Sequence, residues 1–96
     1  MVRKSTKPLH ERDVEKYLKR RAEEEGGEIR KLKWIGRRGA PDRVVMLPHG
    51  KLLWVEVKAP GVEPEDHQVR EHKRMRAVGQ TVLVIDSYEG VEEIFT

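Results

Sequence analysis

The chain has 96 residues, of which 36% are hydrophobic and 39% charged, with a formal net charge of +3. This composition predicts a single, highly charged domain over residues 1–96 with a thin core, and it excludes a large internal cavity. The absence of cysteine excludes a disulfide scaffold and thiolate zinc sites. No run of about 18 apolar residues suggests a membrane span, and no apolar run near Met1 suggests a signal peptide, so we expect a cytoplasmic protein.

A first helix is predicted over residues 7–25, with Thr6 as its cap and two glycines after its end. Its narrow apolar stripe recurs at helical spacing and consists of Val14, Leu18 and Ala22. Glu11 and Glu15 fall inside this stripe. A buried carboxylate needs a cation or a metal ion as a partner, so the pattern marks both residues as candidates for a site.

The middle of the chain predicts a β-hairpin. Its strands are residues 42–47 and 52–57, and Pro48, His49 and Gly50 form the turn. A second helix is predicted from Pro64 to Gly79.

A nearly all-apolar segment, residues 81–86, then predicts a strand that is buried on both faces. The ending after it is too short to assign. The order helix, hairpin, helix, strand predicts an α/β fold with a mixed β-sheet flanked by helices.

The hairpin predicts a cluster of three charged side chains. Asp42 opens the first strand and Glu56 closes the second, and antiparallel pairing brings those two ends together. Side chains alternate along a strand, so Lys58 shares a face with Glu56. Two carboxylates within about 4 Å repel by roughly 1 kcal/mol in water, and a divalent cation removes that conflict. A bare Glu-x-Lys is also common as an exposed cross-strand pair, and Asp42 could simply follow a turn.

Oxygen ligands at this position predict Mg²⁺ or Mn²⁺. The candidate ligands are Asp42, Glu56 and the carbonyl of Val57, with a phosphate oxygen of the substrate beside them. Lys58 would orient or deprotonate the attacking water and balance charge in the transition state.

These residues carry a resemblance to a known family. Gly39-Ala40-Pro41-Asp42, the hairpin and Val55-Glu56-Val57-Lys58 resemble the PD-(D/E)xK nuclease signature. More narrowly, the chain is similar over about residues 9–87 to the VRR-NUC domain in the compact form typical of phages. The other matching positions are a glutamate in the first helix, a glutamine in the second helix and a later glycine with an apolar strand, here Glu11, Gln68, Gly79 and residues 82–85.

The resemblance implies a restriction-endonuclease-like core and a metal-dependent DNA endonuclease that leaves a 5′-phosphate. It also implies that Glu11 reaches the metal, with Glu15 as the alternative, and that Gln68 steadies Lys58 or the scissile phosphate. Gln68 could equally be a packed polar residue. Glu65 departs from the family pattern and leaves the start of the second helix open.

Single-domain relatives resemble Holliday-junction resolvases, which implies a homodimer that prefers branched DNA. Two alternatives remain at this point. One is a nickase or flap nuclease without junction preference, and the other is a nucleic-acid-binding module without catalysis.

Two basic clusters indicate contacts with nucleic acid, and their candidate residues are Lys33, Trp34, Arg37, Arg38, Arg70 and Lys73. The alternative is a solvated surface. Trp34 is either a stacking platform for an unpaired base or a core anchor, whereas Trp54 is expected to pack on the sheet. The four histidines lack zinc-ligand spacing, although His67 or His72 could touch phosphate.

Overall fold

The computed structural model describes residues 10–96. Its elements, in chain order, are α1 (Glu11–Glu24), β1 (Glu28–Lys31), β2 (Arg43–Leu47), β3 (Lys51–Val57), α2 (Asp66–Ala77), β4 (Val82–Ile85) and α3 (Tyr88–Ile94). The four strands form one sheet in the order β1-β2-β3-β4. β3 and β4 run parallel and the other neighbours antiparallel, so the predicted α/β fold with a mixed sheet is confirmed.

The first helix begins later than predicted. His10 has an extended backbone, and its N–H donates to the Asp13 carboxylate at 2.9 Å, which ends the helix on its N-terminal side. The prediction that His10 is helical is therefore wrong. The rest of the predicted start, residues 7–9 and the Thr6 cap, lies outside the described residues. The apolar stripe is confirmed, because its three members are fully buried: Val14, Leu18 and Ala22.

The hairpin is confirmed and its register is continuous from Arg43 opposite Val55 to Leu47 opposite Lys51. A short 3₁₀ turn, Pro48–Gly50, joins the strands, and His49 adopts a left-handed conformation there with φ 67°. Side chains alternate between the two faces of the sheet. One face carries Val45, Leu53 and Val55 into the core against α1, and α3 completes this layer.

The opposite face of the sheet is covered by α2. The helix begins at Asp66 after the N-cap residue Glu65, two residues later than predicted. Its buried residues are Glu71, His72 and Met75. The Arg76 guanidinium donates to the carbonyl of Val82 at 2.7 Å, which ties the C-terminal end of α2 to β4.

The prediction that β4 is buried on both faces is wrong. In the sheet that residues 10–96 form, β4 is an edge strand, and Val84, on the same face as Glu56, is 37% exposed. The strand is apolar because Val82 and Ile85 pack into the interior, where each is less than 5% exposed.

Two elements were not predicted. β1 has only one apolar residue, Ile29, and forms because it pairs with β2 opposite Val45. α3 is seven residues long and begins at Ser87, whose hydroxyl accepts the N–H of Gly90 at 2.9 Å. Within residues 10–96, none of the helices has the length and apolar character that crossing a membrane requires.

Candidate active site

The hairpin register brings Asp42 beside Glu56. Arg43 lies opposite Val55, and the same register carried one residue outward sets Asp42 opposite Glu56. Directly opposite residues of an antiparallel pair project to the same face, so both carboxylates lie on the α2 side of the sheet. The predicted convergence of these two residues is confirmed.

Three side chains surround the Glu56 carboxylate. Gln68 Nε2 donates to its Oε2 atom at 3.3 Å, and Lys58 Nζ lies 3.9 Å from the same oxygen. The Oε1 atom lies 3.9 Å from Nε2 of His72. The prediction that Glu56 and Lys58 share a face of the sheet is therefore confirmed. The Glu56 carboxylate is enclosed by two side chains of α2 and by Lys58.

The pKa of Glu56 is raised to about 7, chiefly by burial, and the negative charges of Asp42 and Glu11 contribute to the rise. Lys58 and Arg43 lower this pKa, but their charges do not offset the loss of hydration. A carboxylate in this position is stabilised by any additional cation. The site therefore favours binding of a positive ion between its acidic groups.

Arg43 is the ion-pair partner of Glu15. Its Nη2 atom lies 2.7 Å from Glu15, and its Nη1 atom lies 2.9 Å from Oδ1 of Asp42. Burial acts to lower the pKa of Arg43, but these two carboxylates raise it overall. Because Glu15 is committed to this ion pair, Glu11 is the better candidate for the metal.

Glu11 differs from its prediction in one respect. The sequence pattern placed it within the buried stripe, whereas the side chain is exposed. The reason is that Glu11 is the first residue of α1, ahead of Val14, where burial begins. Its charge still acts on the pKa of Glu56, so it remains close enough to contribute to the electrostatics of the site.

Gln68 is both a packed capping residue of α2 and a hydrogen-bond donor in the site, where its partner is Glu56 rather than Lys58. Its Oε1 atom accepts the N–H of Glu65 at 2.8 Å and so caps α2, while its Nε2 atom donates to Glu56. Each end of the amide thus has a defined partner, which fixes its orientation. The amide steadies the carboxylate of Glu56 rather than the amine of Lys58.

The segment before Asp42 is packed closely on α2. Gly39 has φ +88°, and a Cβ atom placed there would lie 2.7 Å from the carbonyl oxygen of His67. A side chain fits neither that conformation nor that distance. One residue before Asp42, the carbonyl of Pro41 accepts the indole N–H of Trp34 at 2.7 Å. These contacts hold the segment that carries Asp42.

Trp34 therefore acts as an anchor in this structure. Its ring packs against Trp54, with 5.5 Å between the ring centroids, while the Trp54 indole N–H donates to Gln80. The packing expected of Trp54 is confirmed. Trp34 keeps 36% of its surface exposed, and contact of that surface with nucleic acid stays a prediction.

The two predicted basic clusters adjoin. Arg37, in the loop before Asp42, lies 3.4 Å from Glu71 of α2, which brings that loop next to the second cluster. The exposed basic residues of this combined surface are Lys33, Arg37, Arg38, Arg70 and Lys73. Lys33, Arg37 and Arg38 precede Asp42 in the chain, whereas Arg70 and Lys73 lie on the solvent face of α2, roughly opposite Gln68.

The structure corrects the prediction for His72. The sequence suggested contact with phosphate, but the side chain is only 1% exposed and faces Glu56 from within α2. His67 is partly exposed and lies 3.4 Å from Glu65. The position of His72 could have been found from its spacing, because it lies one helical turn after Gln68. Arg43 was also missed, although strand alternation places it on the core face where a cation needs a partner.

The donor set fits a hard divalent cation. Within residues 10–96, no three histidine, aspartate or glutamate side chains are grouped closely enough to hold a metal ion. Mg²⁺ is bound in many sites by one or two carboxylates and completes its octahedron with water and substrate phosphate. Asp42 and Glu56 provide that number of carboxylates, and burial raises the pKa of Glu56, so a nearby cation would stabilise its ionised form.

A mixed sheet with Asp42, Glu56 and Lys58 at one hairpin end, flanked by helices, defines the class of PD-(D/E)xK nucleases. No family model matches the chain. It is 46% identical over 81 residues to "Putative nuclease p44" of Acyrthosiphon pisum secondary endosymbiont phage 1, covering 84% of this chain and 87% of that protein. It also matches a solved "VRR_NUC domain" with a TM-score of 0.81 and 44% identity, covering 88% of this chain and 92% of that one. The chain belongs to the VRR-NUC family of nucleases.

We expect Gly39→Ala to disturb the site more than Gly36→Ala. Both glycines have positive φ, so each substitution carries conformational strain of about 1 kcal/mol, but only the Cβ at position 39 meets backbone. We expect Gly39→Ala to lose about 1–3 kcal/mol more than Gly36→Ala in urea unfolding and at least tenfold in nuclease activity. Equal losses in the two variants would show that the loop does not depend on contact with α2.

We expect the pH dependence of stability to report the raised pKa of Glu56. The carboxyl ionises near pH 4.5 in the unfolded chain and near 7 in the folded chain. Between these values the folded chain binds more protons, so the free energy of unfolding falls as pH rises, and the loss is complete above about 7. Relative to Glu56→Gln, which cannot titrate, wild type should lose about 3 kcal/mol over this window. Urea unfolding in EDTA measures it, and parallel pH profiles for the two proteins would contradict it.

Proposed function

We propose that this nuclease is an Mg²⁺- or Mn²⁺-dependent endonuclease that hydrolyses phosphodiester bonds of DNA. The observation that carries the proposal is the position of Asp42 opposite Glu56, with Lys58 on the same face and 3.9 Å from the Glu56 carboxylate. The family membership supports nuclease chemistry, and the acidic pair supports a metal as its cofactor.

In this proposal Asp42, Glu56 and the carbonyl of Val57 hold the cation, and Glu11 contributes from the start of α1. A bound Mg²⁺ supplies Lewis-acid stabilisation of phosphate charge and a lowered pKa for water. Gln68 keeps the Glu56 carboxylate oriented through its hydrogen bond. Lys58 holds the attacking water by its amine, takes up or directs the water proton, and offsets negative charge as the phosphorus is attacked.

The basic surface beside the site suits a polyanion. Its residues are Lys33, Arg37, Arg38, Arg70 and Lys73, and they lie on the two segments that also carry Asp42 and Gln68. Cations that neutralise phosphates give binding without base preference and with strong dependence on salt. DNA laid along this surface would bring a phosphodiester next to Asp42 and Glu56.

We expect Asp42→Asn and Lys58→Ala to abolish cutting by different routes. Asp42→Asn removes a metal ligand, so both Mn²⁺ binding and cutting should fall at least 100-fold. Lys58→Ala should retain Mn²⁺ binding and lose cutting by a similar factor. Cleavage of labelled DNA with and without EDTA, together with a binding assay, measures both effects. If both variants still cut DNA, this site is ruled out. If even wild-type protein binds DNA but never cuts it, a non-catalytic binding module is favoured.

We further propose a homodimer that prefers branched DNA such as Holliday junctions. A two-fold dimer cuts two symmetric strands at paired sites. On the sheet face that α2 covers in part, an apolar area supports a partner subunit: Met46 is 38% exposed and lies opposite Leu52, which is 39% exposed.

Cleavage of four-way junctions, flaps and supercoiled plasmid should be compared at about 150 mM salt, because low salt hides specificity. We expect the junction to be cut at least tenfold faster than the flap and plasmid. Light scattering should show a dimer that Met46→Lys with Leu52→Lys converts to a monomer. A wild-type monomer in the presence of DNA would exclude the resolvase version and leave a nickase or flap nuclease.

A further inference from the structure

His72 has a buried nitrogen that the fold does not satisfy. The side chain is 1% exposed, and within residues 10–96 its Nε2 atom has no hydrogen-bond partner. The ring does bond to the backbone of Gly39. Leaving a buried polar atom without a partner costs about 1–3 kcal/mol, so an orphan of this kind needs an explanation.

The Gly39 bond determines what the free nitrogen can do. The ring donates to a backbone carbonyl there, which assigns that proton to Nδ1. With that proton on Nδ1, a neutral ring presents Nε2 as a hydrogen-bond acceptor. The groups that face it are Glu56 of β3, Lys58 just after β3, and Glu71 and Arg76 of its own helix.

Glu56 Oε1, at 3.9 Å, is the facing atom of the site. An ionised carboxylate oxygen is also an acceptor, so the two atoms need a donor between them. A hydrogen bond is about 2.8 Å long, which a water beside both atoms satisfies after a small shift of the Glu56 side chain. Because Nε2 is closed to solvent, the donor has to come from the contents of the active site.

We propose that His72 is a positioning residue of the nuclease site, with Nδ1 anchored on Gly39 and Nε2 accepting a hydrogen bond from an active-site water that also contacts Glu56. The inference rests on the proposed function, because that water arrives with the cation. His72 thus connects two parts of the site: the segment before Asp42 through Gly39, and the Glu56 carboxylate through water. Groups that orient a metal ligand in this way contribute about 10–100-fold to metal affinity or activity.

Two substitutions separate the roles of the two ring nitrogens. In His72→Asn the amide can replace Nδ1 and keep the bond to Gly39, but it does not reach the position of Nε2. In His72→Gln the amide reaches the position of Nε2 and gives up the position of Nδ1. His49→Asn, at the exposed hairpin turn, is the control for the change of residue type.

The readouts are Mn²⁺ affinity by electron paramagnetic resonance without DNA, thermal unfolding in EDTA, and cleavage. We expect His72→Asn to weaken Mn²⁺ binding at least tenfold while its unfolding temperature stays near wild type. His72→Gln should bind Mn²⁺ within about threefold of wild type, even with a lower unfolding temperature, and His49→Asn should match wild type.

The opposite result overturns the inference. If His72→Asn binds Mn²⁺ like wild type, Nε2 has no role in the site, and His72 only ties the loop to α2. A wild-type protein that binds no Mn²⁺ overturns the proposed function and this inference together. If Asp42→Asn abolishes Mn²⁺ binding and His72→Asn leaves it unchanged, only the role of His72 is overturned.

Discussion

The pairing register of β2 and β3 is the constraint on which the rest of the structure depends. With Arg43 opposite Val55, Asp42 and Glu56 occupy adjacent places on one face of the sheet. A shift of one residue would move Glu56 to the core face and bury Trp54 where Val55 now packs. Such a shift is opposed because it would place the Glu56 carboxylate among core side chains such as Val45 and Leu53. The same hydrophobic pattern that stabilises the fold therefore sets the distance between two like charges.

The site is held from both faces of the sheet. On the core face, Arg43 pairs with Glu15 and reaches Asp42, so a buried cation connects α1 to the acidic pair. On the other face, Gln68 contacts Glu56 directly and the Gly39 segment lies against the backbone of α2. A thin domain has few residues with which to build an active site. Here Arg43 contacts Asp42, Gln68 contacts Glu56, and the burial of Glu56 appears as its raised pKa.

Charge is distributed so that attraction for a cation and for a polyanion exist side by side. Of the acidic groups, Glu56 is buried, Asp42 is partly buried and Glu11 is exposed at the start of α1, while the basic residues are exposed on the adjoining loop and helix. The Arg37 to Glu71 ion pair sets the two regions in contact. Arg37 is half exposed, but the Glu71 side chain is only 5% exposed, so the pair anchors the loop on a buried group of α2. The proposed metal would then mediate between the acidic centre and the phosphate held by the basic surface.

The sequence by itself determined the hairpin, the stripe of α1, the mixed sheet and the meeting of Asp42, Glu56 and Lys58. These follow from local periodicity and from strand pairing across a short turn, which involve residues close together in the chain. Tertiary structure decided the rest. β1 and α3 have too few apolar residues to be recognised locally and form because β2 and α1 offer them a surface. The ion pair of Glu15 depends on Arg43, 28 positions further along the chain, and the place of His72 depends on how α2 crosses the sheet. Such contacts join distant parts of the chain, so only the packed fold contains them.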